Sequence, residues 1–212
     1  FSMGQTAHWV WAERHIRPWD EPHICHWTSR LDKVDEGDEI WINTKSTGSL
    51  TVNHVRPGRN LYLISTGTGI APFASLLRDP QTYEDYDQVI VTHTCREVGE
   101  LEYGRQLIEE IKSDELLNEL IGAENLAKLR YYPTTTREES PKMGRITDLL
   151  KDGTVFRDLG IDGIGPETDR AMVCGSMGLN LDLKEILEGF GLEEGVRRWQ
   201  AALCELQEGV RT

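Results

Sequence analysis

Long apolar runs are missing from this chain. Nowhere do about 18 consecutive apolar residues occur, which excludes a membrane-crossing helix. The N-terminus lacks the charged-then-apolar pattern of a secretory signal. Cysteine is scarce. Cys25, Cys95, Cys174 and Cys204 form no CxxC pair, so neither a disulfide framework nor the four-cysteine spacing of a plant-type iron–sulfur domain is available. A reducing cytoplasm is the expected setting. Positive charge is also short: 23 Lys+Arg against 36 Asp+Glu leave a formal net charge of -13. Such a surface repels phosphate backbones and excludes a general nucleic-acid binder. Internal repeats and low-complexity stretches are absent. The chain opens on Phe1 rather than Met, as a processed, trimmed or partial chain would.

What is present suffices for a folded core, with 212 residues of which 38 % are hydrophobic. The charge is uneven. Residues 1–60 carry 7 of the basic and 8 of the acidic residues, leaving 16 against 28 in residues 61–212. Basic residues in that acidic second part need a reason.

Residues 1–27 stand apart, with Trp9, Trp11, Trp19 and Trp27 among His8, His15, His23 and His26 and no sustained period. His23, Cys25 and His26 lie too close together for good tetrahedral geometry, so no metal site is expected. Asp38 to Asn43 alternates and reads as a strand, and Thr47-Gly48 precedes a second short strand, Ser49 to Val52. Arg56-Pro57-Gly58 punctuates the chain and marks a domain boundary. Beyond it, strands are expected at Leu61–Ser65, Gln88–Thr94, Leu129–Tyr132 and Arg170–Cys174. Helices are expected from Pro72 to about Arg78, over Leu101–Lys112 with an extension or repeat at Leu116–Ile121, at Ile146–Leu150 and at Leu181–Phe190. This alternation argues for an α/β fold with a parallel sheet covered on both faces.

Four motifs carry candidate chemistry. Thr66-Gly67-Thr68-Gly69-Ile70-Ala71-Pro72 follows a strand and opens a helix, where glycines admit a pyrophosphate to the backbone and helix N–H groups face it. Arg96 ends the next strand, where an NAD-selective site would place Asp or Glu. An arginine there suits a phosphate. Thr134-Thr135-Thr136-Arg137, followed by Gly144-Arg145, offers hydroxyls and two guanidinium groups for a bidentate anion clamp. Cys174-Gly175 ends the last strand, and its small groups would let a flat ring approach. Each motif alone has an ordinary structural alternative. Their convergence at consecutive strand ends favours a dinucleotide site.

The stretches STGTGIAPFASLLRDP, THTCREVGELEYGRQL, YYPTTTREE, MGRITDLL and ETDRAMVCGSM resemble the bacterial ferredoxin (or flavodoxin)–NADP⁺ reductases, the proteobacterial type in particular, from about Thr28 to Gly195. The resemblance implies a two-domain flavoprotein of the cytoplasm. A six-stranded antiparallel β-barrel would hold FAD, and a five-stranded parallel Rossmann-like sheet would hold NADP(H). It implies residues 1–57 as a partial FAD-binding barrel domain (1–27 divergent), 58–195 as the NADP(H)-binding domain and 196–212 as a divergent tail. By matching position, Thr66, Gly67, Thr68, Gly69 and Pro72 would line the dinucleotide path, and Arg96 would face the phosphates. Arg137 and Arg145 would grip the 2′-phosphate with Thr135 and Thr136 nearby. Cys174 and Gly175 would border the nicotinamide, the catalytic position. Thr28 and Ser29 would meet the FAD pyrophosphate.

The implied activity is hydride exchange between NADP(H) and FAD, coupled to single-electron transfer with a ferredoxin or flavodoxin, by a monomer acting on neither membrane nor nucleic acid. Arg14, Arg17, Arg30, Lys33, Arg56 and Arg59 form the less acidic part to which an acidic partner could dock. Two departures bear on this. The family's R-x-Y-S stretch, which would hold FAD, is absent from residues 1–27, and six barrel strands need on the order of 80–100 residues. The text after Gly195 is also unlike the family. A catalytically inactive NADP(H)-binding module is therefore the alternative, with an oxygenase reductase component as a third reading.

Overall fold

The computed structural model describes residues 50–194, together with Asp35, Gly37 and Glu39. Thr28, Ser29, the Trp/His-rich segment, the strand expected at Asp38–Asn43 (Glu39 apart) and the segment 196–212 lie outside the described residues. So does almost all of the expected barrel portion. The unit described here belongs to a compact body that begins at Gly48.

Its centre is a parallel sheet of four strands: β1 (Gly58–Thr66), β2 (Tyr86–Cys95), β3 (Leu129–Thr135) and β4 (Asp169–Cys174). All neighbours run parallel, in the order β3-β2-β1-β4. The parallel α/β architecture is as the sequence implies. The expected count was five, and the described residues hold four. The strands are longer than their apolar runs because they take in polar residues, some of which are bonded within the sheet. Ser65, for example, donates from Oγ to the Thr92 carbonyl at 2.8 Å. Pro133 lacks an N–H and is tolerated because β3 is an edge strand.

Helices cover both faces. On one face lie α1 (Phe73–Leu76), α2 (Pro80–Glu84), α3 (Glu102–Ser113), α4 (Glu115–Ile121) and α5 (Ala123–Leu126). Their apolar side chains pack with Leu61, Leu63, Val89, Val91, Leu129 and Met172 of the sheet. On the other lie α6 (Ile146–Lys151), α7 (Thr154–Leu159) and α8 (Met177–Gly189), packed with Tyr62, Ile64, Ile90 and Tyr132. Alternate residues of β1 thus feed opposite cores. This is why Leu61–Ile64 reads as a continuous apolar run rather than an alternation. In α3 the buried positions are Gly104, Leu107, Ile108 and Ile111, the i, i+3, i+4, i+7 stripe of a half-buried helix.

Two expected elements differ. The strand read at Ser49–Val52 is not one where it can be seen. Val52–His54 form a single 3-10 turn, in which Thr51 Oγ1 meets His54 Nδ1 at 2.7 Å, and Val52 enters the core beside Leu61 and Phe73. The helix expected from Pro72 to Arg78 is split off early. Asp79 precedes Pro80 and is driven to extended backbone (φ -91, ψ 119). Its side chain then accepts from the Gln81 N–H at 3.0 Å and caps α2. The Asp-Pro pair was the signal for that helix.

At the N-terminal ends of the strands Asp169 is fully buried. It accepts from Asn60 Nδ2 at 2.9 Å and from the Gly165 N–H at 2.8 Å, with Arg59 at 3.5 Å. This network ties β1 to β4 at the end away from the motifs.

Candidate functional site

The chain steps from β1 to β2 to β3 in one direction and then returns across the sheet, so that β4 lies on the other side of β1. The order therefore reverses between β1 and β4. In open α/β sheets the crevice beyond the carboxyl ends of the strands at such a reversal is where ligands bind. All four motifs end at this edge. Ser65 pairs with Cys174 across β1 and β4, Thr66 with Thr94 across β1 and β2, and Cys95 with Thr135 across β2 and β3.

β1 runs directly into a 3-10 turn, Gly67–Ile70. Its two glycines are required for different reasons. Gly67 has φ +52, with nothing within 4 Å of where a Cβ would lie. Backbone handedness, not crowding, selects glycine there. Gly69 is buried, and a Cβ on it would run into the Cys174 carbonyl. The glycine that looked reserved for a ligand is thus needed for the turn to lie on β4. Gly175 is likewise closed in, with its missing Cβ position 2.7 Å from Thr66 Oγ1. Pro72 leads into α1 with helical backbone (φ -57, ψ -31). Cys174 is buried, which pushes its thiol above the ordinary value. α8 starts three residues later, capped by Ser176 Oγ, which accepts from the Leu179 N–H at 3.3 Å.

Beneath the turn sits His93, 1 % exposed on β2. Its Nε2 lies 2.9 Å from the Gly67 carbonyl, and its Nδ1 lies 2.9 Å from the Tyr131 hydroxyl. A carbonyl oxygen only accepts, so Nε2 carries the proton. Burial lowers the pKa of the ring. The neutral ring therefore accepts at Nδ1 from the Tyr131 hydroxyl. Cys95 Sγ lies 3.2 Å from the same Nε2 and donates towards the Glu100 carbonyl at 3.6 Å. In the sequence His93, Tyr131 and Gly104 lie inside the motif stretches but carry no role of their own. A Cβ at Gly104 would strike the Tyr131 hydroxyl and sit 2.5 Å from His93 Nδ1. The signal available was a glycine inside an otherwise good helix.

The arginines gather at the β2–β3 side. The Arg96 carbonyl accepts from the N–H groups of both Arg137 and Glu138, at 3.0 and 3.2 Å. The loop then folds back along β3: the Thr135 N–H donates to the Lys142 carbonyl at 3.1 Å, and the Gly144 N–H donates to the Thr135 carbonyl at 2.9 Å. Arg145 follows at the N-cap of α6. Arg96, Arg137 and Arg145 are all exposed. Among the described residues none of their guanidinium groups is within ion-pair distance of a carboxylate. Glu100 lies in their field, and its carboxyl is held below the ordinary range first by the N–H groups of Arg96 and Glu97 and then by the Arg96 and Arg137 charges. Thr136 is half-buried, its hydroxyl 3.3 Å from the Cys95 carbonyl. Thr135 is the residue expected near the 2′-phosphate beside Thr136. It is fully buried, and its hydroxyl donates to the Glu138 carbonyl at 2.6 Å and meets Ser140 Oγ at 2.7 Å. Both partners belong to the loop that carries Arg137.

The edge thus offers a glycine turn at the strand reversal and, at the ends of the next two strands, guanidinium groups with no carboxylate in ion-pair distance among the described residues. That is the layout for an elongated, multiply anionic ligand. The sequence profile of the oxidoreductase NAD-binding domain matches residues 63–184, the span from β1 into α8.

The chain belongs to the oxidoreductase NAD-binding domain family.

Relatives with curated names are close in sequence. The flavodoxin/ferredoxin–NADP reductase of Rhodobacter capsulatus is 54 % identical over 168 residues, 79 % of this chain and 61 % of its own length. The ferredoxin–NADP reductase of Azotobacter vinelandii is 44 % identical over 166 residues, 78 % of this chain and 63 % of its own. The present chain therefore spans about three-fifths of the length of these relatives. Among solved structures, a ferredoxin NADP⁺ reductase from Neisseria gonorrhoeae with bound FAD and NADP superposes with a TM-score of 0.66 at 26 % identity. The match covers 85 % of this chain and 67 % of that one. Likeness to the ferredoxin/flavodoxin–NADP reductases thus covers about four-fifths of this NAD-binding-domain chain.

Proposed function

We propose that this chain is the NADP(H)-binding part of a ferredoxin (flavodoxin)–NADP⁺ reductase. The observation that carries the reading is the pairing of the glycine turn at the β1/β4 reversal with Arg96, Arg137 and Arg145 at the β2–β3 end. The names of the relatives, and the FAD and NADP bound in the gonococcal structure, support it.

The residues present fit a 2′-phosphorylated dinucleotide. The turn supplies N–H groups to the pyrophosphate, and Arg96 adds a phosphate contact. Arg137 and Arg145 flank the 2′-phosphate, with Thr136 beside them. Cys174 and Gly175 border the nicotinamide at the strand reversal. No acid–base group is asked of them: His93 is neutral and faces inward, and the Cys174 thiol stays protonated. Selectivity for NADP(H) over NAD(H) comes from the arginines, whose charges NAD(H) leaves uncompensated.

Residues 58–195 constitute the NADP(H)-binding domain in this reading. Residues 1–57, with Thr28 and Ser29, come from an FAD-binding barrel, and 196–212 form a tail. FAD, were it held by that barrel, would supply hydride exchange with the nicotinamide and single-electron transfer to a ferredoxin or flavodoxin.

The test is a visible absorption spectrum of the purified chain after reconstitution with FAD and desalting. A retained flavin band that bleaches anaerobically on adding NADPH supports the enzyme. Loss of the flavin with NADP⁺ binding intact reduces the reading to a nucleotide-binding module, and loss of both rejects it.

A further inference from the structure

The contact between His93 and the Gly67 carbonyl has a geometric consequence for the atom that follows it. No peptide bond among the described residues is cis. Across a trans peptide the carbonyl and the next N–H point in opposite directions. The Gly67 carbonyl is bonded to a ring that is 1 % exposed, so it points into the protein. The Thr68 N–H, on the same peptide plane, must point outward beyond the sheet, and Thr68 itself is exposed. It is also one of the first donors of the 3-10 turn Gly67–Ile70, which have no carbonyl partner within it. The inward carbonyl is reached because Gly67 takes φ +52.

The ring is itself held. The Tyr131 hydroxyl fixes Nδ1 from β3, and Gly104 of α3 leaves the space that both side chains fill. Three elements, β2, β3 and α3, therefore converge on one carbonyl. Nothing in their packing alone calls for a histidine, since an apolar ring would fill the same volume.

We propose that His93 is a positioning residue for ligand: by holding the Gly67 carbonyl inward it presents the Thr68 N–H as a preset donor to a pyrophosphate oxygen of the bound dinucleotide. The inference rests on the dinucleotide-site reading above. Tyr131 acts through His93 by fixing its tautomer and tilt. Without the histidine the Gly67–Thr68 peptide is free to turn over, and ordering it falls on the ligand.

The test uses the full chain and two probes: NADP⁺, which reaches both the turn and the arginines, and adenosine 2′-phosphate, which has no pyrophosphate. Affinities are measured by calorimetry for the parent protein, His93→Phe, His93→Gln and Tyr131→Phe. One preset hydrogen bond to a charged oxygen corresponds to about tenfold in affinity. His93→Phe should bind NADP⁺ about tenfold more weakly. His93→Gln, whose amide can donate from the position of Nε2, should recover most of the loss. Adenosine 2′-phosphate should bind all variants equally. Should His93→Phe fail to fold, Tyr131→Phe carries the test, with a smaller loss, about threefold, confined to NADP⁺.

Unchanged NADP⁺ affinity in a folded His93→Phe protein overturns the proposal, as does a parallel loss for both probes, which would indicate a merely structural role. A parent protein that binds adenosine 2′-phosphate but not NADP⁺ overturns it too, leaving the arginine site standing. A parent protein that binds neither removes the dinucleotide reading itself.

Discussion

The backbone N–H of Arg137 donates to the carbonyl of Arg96 at 3.0 Å, so two guanidinium-bearing residues from the ends of adjacent strands are joined through the main chain. Their spacing is set by the sheet rather than by side-chain choice, which suits a clamp that must meet a rigid anion. Replacing Arg137 and Arg145 together by Ala should weaken NADPH about 100-fold, the sum expected of two charge-assisted hydrogen bonds, and leave NADH nearly unchanged. Fluorescence or calorimetric titration with both cofactors checks this. Equal losses would sink the 2′-phosphate assignment.

Gly67 and Gly69 should respond differently to alanine. Gly67→Ala meets only the left-handed backbone, at about 1–2 kcal/mol. Gly69→Ala drives a methyl into the Cys174 carbonyl and forces β4 or the turn to move. Its cost should be larger, about 3 kcal/mol. Urea midpoints of the two variants give the comparison. The reverse ranking would mean that the turn does not rest on β4.

Acid should loosen the arginine loop through Asp158. Tyr132 donates to Asp158 Oδ2 at 2.6 Å, and Lys142 lies 3.3 Å from the same oxygen and 3.8 Å from the centre of the Tyr132 ring. The Tyr132 hydrogen bond first, and Lys142 after it, hold the Asp158 carboxyl below its ordinary value. A carboxyl depressed in the folded state contributes stability above its unfolded pKa, about 3.9. That contribution is lost as pH falls through the folded value. Melting temperature measured between pH 5 and pH 2.5 should therefore drop less steeply in Tyr132→Phe than in the parent. Identical slopes would contradict the coupling.

Both described cysteines should resist alkylation. Burial pushes the thiols of Cys95 and Cys174 up, so at pH 7.5 almost no thiolate is present. Iodoacetamide labelling read by peptide mass spectrometry should leave both intact in the native protein and modify both in urea. Rapid native labelling of Cys174 would show that the β4 end opens more than its burial implies.

Much of this arrangement was legible before the fold was known. The β-branched run Gln88–Thr94 and the apolar Leu61–Ile64 announce buried parallel strands, because a two-sided core leaves no polar alternation to obscure them. The glycine turn and the three arginines were legible because handedness and charge belong to residue types. What escaped depends on neighbours distant in sequence. Thr135 reads as an open loop hydroxyl, and its burial under Glu138 and Ser140 shows only once the loop is folded. Gly104 looks like a weak spot in a helix until His93 and Tyr131 arrive beside it. The short helix after Asp79-Pro80 was lost between two stronger patterns.

The central strand carries the glycine turn, and its two neighbours arrive at very different times. β2 follows within about 20 residues, whereas β4, which closes the crevice through Cys174 and Gly175, comes more than 100 residues later. Long-range pairings of this kind form late, because the intervening loop must be closed first. A nascent chain lacking β4 already possesses the turn and all three arginines but not the wall on which Gly69 rests. A dinucleotide bound as proposed would bridge the first strand and the last, and should slow unfolding by clasping one to the other.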